Sequence, residues 1–164
     1  MTLRADAQRN FDRVLDVAGE CFGERGFDVS VAEIARRAGV GHGTVFRRFA
    51  SKEELVVAVV CRHLRELTAS AERAAEDDDA WRGFERFLRE ACERYAANQG
   101  LVGGLDRCVG APEKGRLLAA VEKLVRRARR AGVLRPGLAA ADVLALVPTA
   151  ARYPDVVLDG LRAR

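Results

Sequence analysis

The sequence predicts an all-α fold, with two short helices in its first third and longer ones before and after them. Three observations carry this. Ala is the commonest of the 164 residues, Phe, Trp and Tyr make up 6%, and Ile and Thr are sparse, a helical bias. Apolar residues recur at three- and four-residue spacing along most of the chain, the period of an amphipathic helix. No segment alternates as a half-buried strand would.

Taken in order, Phe11, Val14, Leu15, Ala18, Cys21 and Phe22 form one stripe on a helix over 5–25, ended by Gly26. Ser30 followed three residues later by Glu33 is a capping box that starts a helix at Val31. Ile34, Ala35 and Ala38 face inward, and Gly39 stops it. A second short helix runs to about Phe49, and Ser51-Lys52-Glu53-Glu54 opens a long one to Ala75. The acidic run Glu76-Asp77-Asp78-Asp79 reads as a break. The next helix, 80–98, carries Trp81, Phe84, Phe87, Leu88, Ala91, Cys92 and Tyr95 on one side. Gly100, Gly103 and Gly104 make the following stretch irregular or a short helix. Pro112 sits near the start of a helix to Ala131, whose inward residues are Leu117, Leu118, Val121, Leu124 and Val125. Gly132 ends it and Pro136-Gly137 is a turn. Residues 138–150 and 156–163 read as two last helical pieces, with Pro148 and Pro154 as breaks or kinks.

Apolar residues at 49% and charged ones at 32% exclude a mostly disordered chain. Neither a membrane span nor a secretory leader is legible, so a cytoplasmic location is expected. Cys21, Cys61, Cys92 and Cys108 lack metal-ligand spacing, as do His42 and His63. Free thiols are expected there, several of them buried, and no metal or other cofactor. An enzyme is not expected either. There is no catalytic Ser-His-Asp order, and Gly100-x-x-Gly103-Gly104 follows a helix rather than the strand that a phosphate loop needs.

Net charge is +4, unevenly spread. Residues 29–52 hold Arg36, Arg37, Arg47, Arg48 and Lys52 against Glu33 alone. Such a segment suits a polyanion, and equally a solvated helix face. Its pattern is more informative. Two short helices joined by a three-residue turn with Gly describe a helix-turn-helix. Ala35 lets the helices approach, Gly39 supplies positive φ, and Val40 and Val45 plug the space beneath against Ile34. His42, Gly43, Thr44, Arg47 and Arg48 then point outward, and in such motifs the second helix enters the major groove. An ordinary αα corner has the same bare spacing.

The run from Ile34 to Leu55, IARRAGVGHGTVFRRFASKEEL, with Val14, Leu15, Ala18, Phe22 and Gly26 upstream, resembles the DNA-binding domain of TetR-family transcriptional repressors. The resemblance implies a helix-turn-helix DNA-binding head over 1–52. It also implies a helical ligand-binding and dimerisation core over 53–164. It implies a homodimer on a palindromic double-stranded operator, released by a small apolar or amphipathic inducer. Carried over by residue, Ser30 and Val31 offer backbone N–H groups to a phosphate. Thr44 contacts groove or phosphate, Lys52 a phosphate, and Arg47 a base or phosphate. Arg48 reaches the same surface or its rim. His42 reads a base or else touches only backbone, and Gly43 completes the exposed face. Gly41 and Phe46 depart from the family's usual Ser and Tyr, and both lose a hydroxyl for phosphate.

Beyond residue 110 the resemblance is generic. Gly132-Val133-Leu134-Arg135-Pro136 and Asp159-Gly160-Leu161-Arg162 look like segments of many members. Helices over 113–131 and 138–163 are the expected dimer elements. By family analogy Phe84, Phe87, Leu88, Cys92, Tyr95, Leu118 and Val121 line the inducer pocket, with Tyr95 and Asp106 or Arg107 as polar contacts; the same residues also suit plain core. A thiol-based redox-sensing repressor, switched at Cys92 or Cys108, is the alternative.

Overall fold

The computed structural model describes residues 3–98 and 111–163. These form eight helices: α1 (Leu3–Arg25), α2 (Val31–Arg37), α3 (His42–Arg48), α4 (Lys52–Ala75), α5 (Ala80–Ala97), α6 (Pro112–Arg130), α7 (Ala140–Arg152) and α8 (Pro154–Leu161). The chain divides into two compact units, with the boundary inside α4 after Arg62. Gly100, Gly103, Gly104, Asp106, Arg107 and Cys108 lie outside the described residues.

In the first unit the α1 stripe is buried through Val14, Leu15, Ala18, Cys21 and Phe22. Gly26 takes φ +64° and leads into a single 3-10 turn over Gly26–Asp28, which the sequence pattern did not indicate. The Ser30 hydroxyl accepts the Glu33 N–H at 3.2 Å. The expected capping box is therefore half formed, because the Glu33 carboxylate is spent on Arg25 at 2.5 Å. The cap at α4 is similar: Ser51 Oγ accepts the Glu54 N–H at 3.2 Å. The Glu54 carboxylate reaches one residue further back, to the Ala50 N–H at 2.8 Å.

The second unit is a helical layer in which α5 packs on α6, α7 and α8. Phe84, Phe87, Leu88, Val121, Leu124, Val125 and Val143 fill its core. The acidic run 76–79 is the expected break between α4 and α5, and it is also a clamp. Asp79 Oδ1 caps α5 by accepting the N–H groups of Trp81 and Arg82, both at 2.9 Å. The Asp77 side chain is buried and binds Arg82 at 2.7 Å and Arg86 at 2.8 Å. From the other side Arg127 of α6 donates to the backbone carbonyls of Ala75, Asp77 and Asp78. Gly83 makes this close approach possible, since a Cβ there would sit 2.3 Å from the Ala74 carbonyl oxygen.

Two expectations need correction. Leu118 points outward, with 44% of its surface exposed. The buried face of α6 runs through Leu117, Val121, Leu124, Val125 and Ala128, and Leu118 lies about 100° around the helix from Leu117. Pro148 does not interrupt α7, which continues from Ala140 to Arg152. Its ring forfeits one backbone bond, and burial of Val143, Val147 and Ala150 holds the helix across it. Pro154 does mark a break: α7 ends at Arg152, and Pro154 opens α8 two residues before the expected start. The two C-terminal segments with family likeness pair with each other. Arg135 N–H donates to the Leu161 carbonyl at 2.9 Å, and Ala163 N–H to the Val133 carbonyl at 3.0 Å. An isolated antiparallel bridge between Leu134 and Arg162 results.

Two predictions follow from the clamp. Gly83→Ala drives a methyl into the last turn of α4, and overpacking of this kind costs about 1–3 kcal/mol. A thermal melt should show it, whereas a neutral substitution would mean that the two helices do not meet there. The Arg82 guanidinium, desolvation notwithstanding, holds the Asp77 carboxyl below its usual range. The folded value is depressed, so the stabilisation is complete above the unfolded carboxylate pKa and is lost as pH falls through the folded one. Asp77→Asn should therefore flatten the acid limb of stability against pH, measured by melts across that range.

Candidate nucleic-acid interface

The interface is built on how α2 ends. Gly39 takes φ +66°, its N–H bonds to the Arg36 carbonyl at 3.2 Å, and the Val40 N–H to the Ala35 carbonyl at 3.0 Å. This is a Schellman closure, and it turns the chain sharply into α3. Gly41 is the N-cap in extended conformation and offers no side-chain cap; the Thr44 N–H is satisfied by its carbonyl at 2.8 Å. Ile34, Ala35 and Val45 are buried between the two helices, while Val40 is only half-buried.

With Val45 pinned inward, α3 presents His42, Gly43, Thr44, Phe46, Arg47 and Arg48 to solvent. Phe46 is 42% exposed, and its ring sits 4.6 Å from that of His42. The Arg47 Nε donates back to the Gly43 carbonyl at 3.2 Å, so its guanidinium rides along the exposed face. Arg48 is different. Its guanidinium lies over the Phe11 ring of α1, 4.7 Å from the centroid, and Phe11 in turn stacks on Phe49. Phe11 thus orients Arg48, a role that its place in the α1 stripe did not reveal.

The remaining candidates fall around α3. Ser30 is exposed with its hydroxyl spent on the cap, and the Val31 side chain is buried, so both have backbone N–H groups to offer. The Lys52 ammonium donates to the Phe27 carbonyl of the 3-10 turn, leaving two of its three protons for an anion. The cationic segment is weaker than its composition suggests, since Arg37 pairs with Glu24 of α1 at 2.9 Å. Arg36 remains exposed and without an ion pair among the described residues.

In the second unit Phe84, Phe87, Leu88 and Val121 are wholly buried, and Cys92 nearly so. Tyr95 is half-buried. The Cys92 thiol donates to the Val147 carbonyl at 3.9 Å, and burial raises its pKa, as it does that of Cys21. Among the described residues no group of His, Cys, Asp and Glu could hold a metal ion, and no helix is long and apolar enough to cross a membrane.

A Gly-closed two-helix corner with an exposed polar and basic second helix defines a DNA-binding helix-turn-helix. Comparison with known proteins agrees. Residues 14–59 match the family of bacterial regulatory proteins, tetR family. Residues 79–163 match the SbtR-like C-terminal domain of transcriptional regulators. A TetR transcription regulatory protein from Mycobacterium vanbaalenii is similar over 99% of this chain and 100% of its own, with 39% identity and a TM-score of 0.82. A TetR transcriptional regulator from Streptomyces coelicolor is 26% identical over 93% of this chain and 98% of its own, with a TM-score of 0.72. An HTH-type transcriptional regulator of Staphylococcus aureus is 36% identical over 63 residues, which cover 38% of this chain and 34% of that protein. The match thus spans about a third of this curated relative's length. The chain belongs to the TetR family: it is a DNA-binding transcriptional regulator and not an enzyme.

The different settings of the two adjacent arginines give a prediction. Arg47→Ala should weaken DNA binding more than Arg48→Ala, because Arg48 is turned onto Phe11. Anisotropy titrations of both variants on one duplex would decide it, and the reverse order would place the contact surface toward α1. Phe46→Tyr adds a hydroxyl to an exposed ring. If that ring lies along the DNA backbone, one phosphate hydrogen bond worth on the order of 1 kcal/mol is gained, on operator and scrambled DNA alike.

Proposed function

We propose that the protein is a homodimeric repressor that binds a palindromic operator and leaves it when a small apolar or amphipathic inducer binds. Residues 1–52 form the DNA-binding part and 53–164 the regulatory and dimerising part, acting in the cytoplasm. The single observation that carries this reading is the two-sided α3, with Val45 buried and His42, Thr44, Phe46 and Arg47 exposed. One seven-residue helix reads too few base pairs for selectivity, so a second copy is needed about one DNA turn away. Exposed apolar side chains on the second unit, Tyr153 just before α8, Val156 on it and Leu118 on α6, are available to a partner copy.

The phosphate contacts of this reading are Lys52, Thr44 and the backbone of Ser30, Val31 and Gly41; the base-reading candidates are His42, Gly43 and Arg47. The inducer lies against Phe84, Phe87, Leu88, Cys92, Tyr95 and Val121. Its mechanism is a population shift toward a spacing of the two heads that misfits the operator. The redox alternative is less well supported. A sensor thiol must ionise, and burial of Cys92 works against that.

The test is a salt titration of binding to the DNA upstream of the protein's own coding region. Affinity should fall steeply with salt, and Lys52→Ala should lower the log–log slope by roughly 0.9 while weakening all sequences alike. An unchanged slope removes Lys52 from the contacts. Sedimentation should show a dimer at micromolar concentration. A stable monomer that still binds a palindrome tightly would overturn the dimeric reading.

A further inference from the structure

The last turns of α6 hold four arginines, Arg126, Arg127, Arg129 and Arg130, and they do not share one task. Arg127 is consumed by the carbonyls of Ala75, Asp77 and Asp78. The others are exposed, make no ion pair among the described residues, and face a single open cleft of about 620 Å³. Cations at a helix C-terminus ordinarily complement its dipole and cap its carbonyls. Here three of those carbonyls are already taken by backbone N–H groups. Ala131 N–H bonds to Arg127 O at 3.0 Å, Gly132 N–H to Arg129 O at 3.0 Å, and Val133 N–H to Ala128 O at 3.1 Å. The dipole itself amounts to roughly half a charge, against three guanidiniums. Glu122 is the one acid among the described lining residues.

The cleft floor has the opposite character. Leu134 is buried and held in place by the bridge to Arg162, and Pro136 and Ala163 lie beside it. Planar guanidinium forks match phosphate oxygens in pairs, and an apolar floor suits a ring or short chain. We propose that this cleft binds a small organophosphate of nucleotide size. Its phosphates sit on Arg126, Arg129 and Arg130, and its apolar part on Leu134 and Pro136. The described lining residues all belong to the second unit, and none is among those proposed for the inducer.

The experiment is calorimetric titration of the full chain with ADP at low salt, with adenosine and a random-sequence DNA duplex as parallel ligands. ADP should saturate one site and adenosine should not bind. Arg126→Ala with Arg130→Ala should weaken ADP at least tenfold, and the paired change to Lys should recover only part of that, since charge returns without the fork. All these side chains are exposed, so melting temperatures should stay unchanged. Trp81 is a built-in reporter. The Arg162 guanidinium lies 5.0 Å above its ring, next in sequence to Ala163 at the cleft, so bound ADP should shift its emission. The proposal is overturned by any of three results: no saturable ADP binding, ADP affinity undiminished in the Ala pair, or adenosine binding as well as ADP. Duplex binding lost in the Ala pair while ADP fails to bind would also overturn it, and would assign the arginines to a nucleic-acid surface.

Discussion

The head depends on one backbone conformation, the left-handed turn at Gly39. There the Val40 N–H closes on the Ala35 carbonyl and the chain reverses within three residues. A residue with a Cβ would adopt that φ at a cost of roughly 1–2 kcal/mol. The turn fixes the angle at which α3 leaves α2, and burial of Val45 against Ile34 and Ala35 fixes the rotation of α3 about its axis. Those two settings decide which side chains face outward. The polar face of α3 is thus a consequence of apolar packing beneath it, and its side chains could be exchanged without disturbing the corner.

Arginine supplies much of the chemistry elsewhere, and it does so through different partners. Arg37 and Arg25 pair with Glu24 and Glu33 and tie α1 to α2. Arg48 lies flat on Phe11. Arg127 works as a capping group for the carbonyls between α4 and α5, a place where a planar fork of donors satisfies several acceptors at once. With 25 Arg and 3 Lys in the chain, position alone does not tell these uses apart.

That is also why some of the molecule could be read from sequence and some could not. Helix positions followed from local signals: Ser30 and Ser51 as caps, Gly26, Gly39 and Gly132 as stops, Pro112 at a first turn. Each acts within four residues, so one sequence is enough. The inward and outward faces of α2 and α3 were legible for the same reason. What failed depended on partners distant in sequence. Leu118 sits beside Leu117, and only the packing of α6 on α5 and α7 decides which of the two is inside. Pro148 looks like a break until Val147 and Ala150 are seen to be buried on either side of it. The acidic run at 76–79 is legible as a break, but not as a clamp, because its partner Arg127 lies about fifty residues on. At the candidate site, Lys52 and Arg48 were identified by type, but their engagement with Phe27 and Phe11 was not.

The acidic clamp and the C-terminal bridge bear on the same problem, which is how a short second unit keeps its helices in register. Helix faces alone slide, because an apolar stripe such as that of α6 offers similar burial at neighbouring turns. Directional contacts do not. Asp77 fixes the start of α5 through Arg82 and Arg86, Arg127 sets α6 against the end of α4, and Gly83 admits only a close fit to Ala74. At the far end of α6 the pairing of residues 133–135 with 161–163 locks α8 to the turn that precedes α7. Between those two ends the ties run along other faces: Ser70 of α4 donates to Glu90 of α5 at 2.5 Å, Arg94 of α5 to Glu66 of α4 at 2.6 Å, and Arg89 to Asp155 of α8 at 2.8 Å. The face through Phe84, Phe87 and Val121 is then left to apolar packing alone, with its register already set around it.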